Sequence, residues 1–265
     1  RLARPHSPTP TPIGINGQAP NRHEQTAEQA STAPPSTDFF ATQKSVQHRD
    51  TVGTEICAML PCMIITVAAI KGGVGKTTLS MALAETMSRA RPERPVLLLD
   101  LDPQGSATGF ASRTEGLLTR VQPIVGHTSG RLPRLIREAA AGEDLVVIDT
   151  PPGHTDVTDA AMGEADLILV PTEPALDPLT QAVETVAMAQ GLAATAVVLN
   201  QVKMGANDAE AARRVLERSG ARVLKVEIPN WVAISRIDGS SWPTDQRVLT
   251  VYALLAEQVL EAVAA

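Results

Sequence analysis

An eight-residue run, Lys71-Gly72-Gly73-Val74-Gly75-Lys76-Thr77-Thr78, constrains this chain more than any other feature. An apolar stretch leads into it and a helical pattern follows. Gly72, Gly73 and Gly75 let the backbone turn tightly and aim successive N–H groups at one anion. A helix opening directly behind the turn adds the positive end of its dipole. In that setting Lys76 faces the β- and γ-phosphates of a nucleotide, and the Thr77 hydroxyl reaches Mg2+. Gly72, Gly73, Val74, Gly75, Lys76, Thr77 and Thr78 are therefore candidate nucleotide-binding residues.

The ordinary phosphate-loop pattern, G-x-x-x-x-G-K-[ST], also wants a glycine five residues before Gly75. Ile70 stands there, and Lys71 follows it. The run fits a deviant form, K-G-G-x-G-K-[ST], which carries a second lysine at its start. Taken alone, Lys71 reads as a surface lysine. The motif as a whole gives it a place on phosphates.

From Met63 onward, short apolar runs alternate with amphipathic segments. Strands are expected at 64–70, 96–101, 145–148, 167–170, 196–199 and 223–226. Helices are expected at 76–89, 132–141, 178–191, 208–219 and 248–264. The apolar runs are rich in Val, Leu and Ile and barely alternate with polar residues, as strands covered on both faces do. The expected fold class is α/β: a P-loop NTPase fold, with a mostly parallel twisted sheet and helices on both faces. Ligands bind such sheets at the carboxyl ends of the strands. Aromatic residues are only 2% of the chain, so its core must be aliphatic.

Three further segments end at that edge. Asp100 and Asp102 close one strand, in Asp100-Leu101-Asp102-Pro103-Gln104-Gly105, and alternation points both to one side. Carboxylates there hold Mg2+ through water or orient an attacking water. Four apolar residues, 145–148, deliver Asp149 as a Walker B acid, and Thr150-Pro151-Pro152-Gly153 follows as a rigid loop. The candidate metal residues are thus Thr77, Asp100 and Asp149. Asn200 ends another strand, where its amide either reads an adenine edge or caps a turn. Pro229 supplies an apolar wall for the base or simply a turn. No Asn-Lys-x-Asp guanine signature occurs, which favours ATP over GTP.

Together these residues resemble the deviant Walker A ATPases of the ParA/MinD class, over about residues 63–264. The segment from Asp100 to Gly105 is similar to the D-x-D-P-Q-G motif of the ParA branch. The stretch Pro174-Ala175-Leu176-Asp177 resembles that of small plasmid-type partition ATPases. The resemblance implies ATP and Mg2+ as ligands and a nucleotide-sandwich homodimer. Lys71 would reach across to the second copy's phosphates, Asp102 would position the attacking water, and Lys71, Lys76 and Asp102 would form the catalytic set. It further implies slow hydrolysis, binding of non-specific DNA by the ATP dimer, stimulation by a ParB-like centromere-binding partner, and a cytoplasmic, nucleoid-associated location. The competing readings are a positioning ATPase for a non-DNA cargo and a biosynthetic ATP-dependent enzyme on the same fold.

The net charge of -6 excludes a uniformly basic nucleic-acid binder but leaves room for a local patch. Arg213, Arg214, Arg218, Arg222 and Lys225 form the basic cluster of the C-terminal half, read either as DNA-phosphate contacts or as a solvated helix face. Arg236 and Arg247 are secondary candidates. The last helix carries no basic polar face, which argues against membrane targeting. Residues 1–62 hold eight of the twenty prolines and no sustained apolar period, so they are expected to form a disordered extension to a 63–265 ATPase domain. The natural start is expected at Met59 or Met63. Phe39-Phe40 is at most a short docking motif. Cys57 and Cys62 lack the second pair that a zinc site needs, and the folded region lacks the paired cysteines of iron–sulfur carriers.

Overall fold

The structure, a computed structural model, describes residues 62–203, 207–235, 237 and 242–264. The expectations for the rest of the extension, including Cys57, Phe39 and Phe40, and for Arg236 lie outside these residues.

Seven strands form one sheet in the order β3-β2-β4-β1-β5-β6-β7, and every pairing is parallel. They are β1 Met63–Val67, β2 Leu97–Asp100, β3 Arg120–Pro123, β4 Leu145–Asp149, β5 Leu167–Thr172, β6 Ala194–Val202 and β7 Arg222–Pro229. The helices are α1 Lys76–Ala90, α2 Ser106–Arg113, α3 Leu132–Ala140, α4 Asp156–Met162, α5 Leu176–Ala189, α6 Asp208–Arg218, α7 Val232–Ser235 and α8 Gln246–Val263.

All residues of β1, β2, β4 and β5 are buried, which is why their sequences show no polar alternation. Alternation instead divides them between two apolar layers. Ile65, Val67, Leu98, Leu145, Val147 and Leu169 face α1, α2 and α8. On the other side, Ile168, Val170, Val197 and Leu199 meet α5 and α6, while Ile64, Leu99, Val146 and Ile148 meet α3 and α4. Phe110 and Tyr252 are the aromatic members of the buried core among the described residues, so the core is aliphatic as expected.

Several features depart from the sequence reading, among them three at the sheet and its short helices. Strand β3 reads Arg-Val-Gln-Pro, with no apolar run, because it is a largely exposed edge strand, where a terminal proline is tolerated. Helices α2 and α4 are too short to display a period, although Thr155 caps α4 by accepting from Thr158 N at 3.1 Å. Strand β1 stops at Val67 because the chain leaves its ladder to enter the loop. No described helix is long and apolar enough to cross a membrane.

Candidate phosphate-binding site

The site is assembled where β1, β2 and β4 end side by side. Val67 of β1 pairs with Asp149 of β4, and Asp149 pairs in turn with Asp100 of β2. The chain then turns through the glycine loop into α1. Gly73 and Gly75 adopt φ of 83° and 86°, values a side chain rarely tolerates. Gly75 is the residue preceding α1, and its carbonyl accepts the first helical bond, from Leu79 N at 2.9 Å.

Lys76 is buried, and its Nζ turns back to the Lys71 carbonyl at 3.4 Å. Burial lowers its pKa, against the opposing pull of the Asp149 and Asp102 charges. An ammonium held there gains from any anion that enters the loop. Lys71 behaves differently. Its ammonium points outward and pairs with Asp177, in the first turn of α5, at 2.6 Å. The two side chains are 39% and 69% exposed, so solvent and salt weaken the pair. Lys71 holds the Asp177 carboxyl below its usual range.

Asp149 is fully buried. Ser80, one turn beyond Lys76 on α1, donates to its Oδ1 at 3.1 Å, and Oδ2 has no hydrogen-bond partner. Burial pushes its pKa up to about 7, with the nearby Asp100 adding and Thr77, Ser80 and Lys76 opposing. An orphaned carboxylate oxygen beside a threonine hydroxyl suits a hard divalent cation. Mg2+ takes one or two carboxylates and completes its shell with phosphate and water. Among the described residues no group of three or more His, Cys, Asp or Glu gathers to hold a metal alone. The residues present therefore fit Mg2+ only together with a phosphorylated ligand.

This gives a stability prediction. Below about 7 the folded protein keeps a proton on Asp149 that the unfolded chain, at the ordinary 3.8, has released. The group's contribution to stability therefore declines as pH rises across that window. Asp149→Asn, which mimics the neutral form, is expected to raise the thermal midpoint of the ligand-free protein by several degrees at pH 8. The gain should shrink toward pH 5; melting curves showing no gain at pH 8 would contradict it.

The other expected site residues are placed as follows. Asp102 is buried in a turn, accepting Gln104 N on Oδ1 at 2.9 Å. Asp100 is engaged on both oxygens. Its Oδ1 accepts Asp102 N at 3.2 Å, and its Oδ2 accepts both the N–H and the hydroxyl of Thr108, each at 2.8 Å. That carboxylate anchors α2 and the turn carrying Asp102. Asn200 is engaged within the chain, against the loop. Its Nδ2 donates to Val74 O at 2.7 Å, and its Oδ1 accepts Gln201 N at 3.0 Å. Pro229 ends β7 opposite Val202, near the same edge. Thr185 of α5 accepts Ile70 N at 3.3 Å and so ties α5 to the start of the loop.

The basic cluster lies elsewhere. Arg218 ends α6 and Arg222 begins β7, toward the amino ends of the strands. Arg213 is spent on Leu224 O at 2.8 Å and on Glu227, Arg214 pairs with Glu210 at 2.8 Å, and Arg222 donates to Ala262 O at 3.3 Å. Arg218 and Lys225 remain exposed. Arg247 pairs with Asp245 at 2.7 Å and lies 5.2 Å over the Trp231 ring. Cys62 is no reactive thiol: burial first, then Asp166, Glu143 and Asp144, push it up to about 11.

Ser80, Thr108, Asp177 and Gln201 were missed as site residues. Ser80 was legible as the i+4 neighbour of Lys76. Gln201 carried no signal.

Comparison with known proteins places this geometry. A family model described as the CobQ/CobB/MinD/ParA nucleotide binding domain matches residues 65–242, about two thirds of the chain. The maintenance of carboxysome distribution protein A of Gloeobacter kilaueensis is 42% identical over 124 residues, 46% of this chain and 55% of that protein. The chromosome-partitioning ATPase Soj of Thermus thermophilus is 36% identical over 170 residues, 54% of this chain and 64% of that protein. The chain thus spans less than two thirds of either relative. Among solved structures, an ATP complex of McdA from Cyanothece matches with a TM-score of 0.61 at 19% identity, covering 77% of this chain and 97% of that one. At that identity the likeness is one of fold.

Proposed function

The chain belongs to the CobQ/CobB/MinD/ParA nucleotide-binding family, and on that footing we propose that it is a partition-type ATPase that pairs with a second copy of itself around ATP and Mg2+. The observation that supports this best is the second lysine. Lys76 already occupies the inside of the loop, whereas Lys71 faces outward at its mouth and is held only by an exposed acid. An ammonium so placed is positioned to serve a site other than its own.

The loop N–H groups and Lys76 bind the β- and γ-phosphates. Thr77 and Asp149 would hold Mg2+, which would supply charge neutralisation at those phosphates. Asp102 orients a water for attack on the γ-phosphorus; as the water's oxygen bonds to that phosphorus, the bond to the bridging oxygen breaks, ADP leaves with its electron pair, and the water's proton passes to a phosphate oxygen, giving inorganic phosphate. Lys71 of the second copy stabilises the charge on the transferring group, as a finger residue supplied in trans does. Asp100 acts at one remove, by fixing the Asp102 turn.

For the cargo, the leading reading is a DNA-bound dimer on the nucleoid, stimulated by a ParB-like partner; the similarity to Soj supports it. A second reading, positioning of a non-DNA cargo, draws on the carboxysome-distribution relative and on the internal pairing of Arg213, Arg214 and Arg222. Sedimentation with ATP, ADP or neither, with and without DNA, tests both. A dimer is expected with ATP only, and DNA is expected to co-sediment with that dimer at low salt. Reversing Arg218 and Lys225 to Glu should weaken DNA binding roughly tenfold, since both cations are exposed to solvent, and leave hydrolysis unchanged. Absence of DNA binding by the ATP dimer at low salt rules out the first reading.

A further inference from the structure

Resting on the nucleotide-binding reading, we infer that Gln201 is a positioning residue that presets the phosphate loop. It stands near the end of β6, where pairing with β7 is irregular: the register shifts between Val197 and Leu199 and again between Leu199 and Val202. Its φ is 56°, and among the described residues it is the one non-glycine in the left-handed region. A long side chain is held there only when its surroundings compensate for the strain.

What it gains is a contact with the loop. Gln201 Nε2 donates to Gly73 O at 2.8 Å, beside the bond from Asn200 Nδ2 to Val74 O at 2.7 Å. Asn200 Oδ1 in turn accepts Gln201 N, so the two amides brace one another. The approach is close: a Cβ on Gly75 would lie 2.5 Å from Asn200 Nδ2.

Peptide geometry gives these tethers a purpose. In a planar trans peptide, a carbonyl and the N–H that follows it point in opposite directions. Holding Gly73 O and Val74 O toward β6 therefore turns the N–H groups of Val74 and Gly75 away from it, into the space a phosphate would fill. Glycine at 73, with no Cβ, leaves ψ of that residue, one of the two torsions that turn the 73–74 peptide, less restricted than any other residue would. The Gln201 bond fixes the sense of that peptide. The strained strand end and the anion cradle are then two halves of one device, and the cradle is formed before nucleotide arrives.

Calorimetric titration with Mg2+–AMPPNP and with AMP, combined with thermal melts, tests this. Gln201→Gly removes both the tether and the φ strain. It is expected to melt at or above the wild-type midpoint while binding AMPPNP about tenfold more weakly. AMP, which has no β-phosphate, should bind with less than about a twofold change. Gln201→Asn, which tolerates the same φ but falls short of Gly73, should behave like the glycine variant. Wild-type affinity in Gln201→Gly, or an affinity loss matched by a lower midpoint, overturns the assignment. A wild-type protein that does not bind AMPPNP overturns the nucleotide reading beneath it as well.

Discussion

Replacing Lys76 by alanine is expected to weaken nucleotide binding severely and to cut hydrolysis further still, while leaving the fold intact. The lysine makes no tight internal bond; its nearest partner is the Lys71 carbonyl at 3.4 Å, and its burial already disfavours the charge. Removing it from the empty protein should move the thermal midpoint by only a few degrees, because the loss of a buried charge offsets the loss of a neighbour for Asp149 and Asp102. With nucleotide present the balance reverses. A charge-assisted bond to phosphate is worth roughly 1.5–3 kcal/mol, or about tenfold to a hundredfold in affinity. Loss of stabilisation at the transferring phosphoryl group adds about another 10²–10³ in rate. Titration with Mg2+–ATP and a phosphate-release assay measure both. A variant that hydrolyses ATP within tenfold of wild type removes the loop from its central place.

The sequence made the scaffold of this site legible for a physical reason. A strand covered on both faces must be apolar throughout, so β1, β2, β4 and β5 announced themselves by composition, and the loop by its glycines. The edge strand β3 is covered by little and so left no pattern. Roles that depend on which hydrogen bonds close were less visible. Asp100 and Asp149 look alike in sequence, each an acid after four apolar residues. In the structure both oxygens of Asp100 accept hydrogen bonds, from Asp102 and Thr108, whereas Asp149 keeps one oxygen unpartnered. Spacing cannot distinguish these states, because the difference lies in where α2 begins. Asn200 was found at the right edge but faces the loop, held by contacts that span 126 positions of chain. The basic residues illustrate the opposite limit: a cluster in sequence is a patch only if its charges are not already paired, and three of these five are engaged.

Lys71→Ala carries the second large effect, and its profile differs from that of Lys76→Ala. Lys71 pairs with an exposed Asp177 in contact with solvent, so the melting midpoint of the apo protein should hardly move. Nucleotide binding to the single chain should stay within about threefold, because Lys76 and the loop N–H groups remain. Hydrolysis should fall about 10³-fold, the scale of a cation supplied in trans to a transferring phosphoryl group. The Asp177 pairing adds a corollary. To reach a second copy, the ammonium must leave Asp177, so Asp177→Asn should favour the ATP dimer.

The direct test of the trans arrangement is to mix two inactive proteins. Lys71→Ala keeps its own Asp102 but lacks the lysine its partner needs; Asp102→Ala is the reverse. In a mixed dimer the Lys71→Ala chain has its own Asp102 and receives Lys71 from the other copy, completing one site. Mixing equal amounts is expected to restore hydrolysis to roughly a quarter of wild type, since half the symmetric pairs are mixed and each holds one complete site. If the mixture is no more active than its components, Lys71 serves its own site, and the composite-site dimer is wrong.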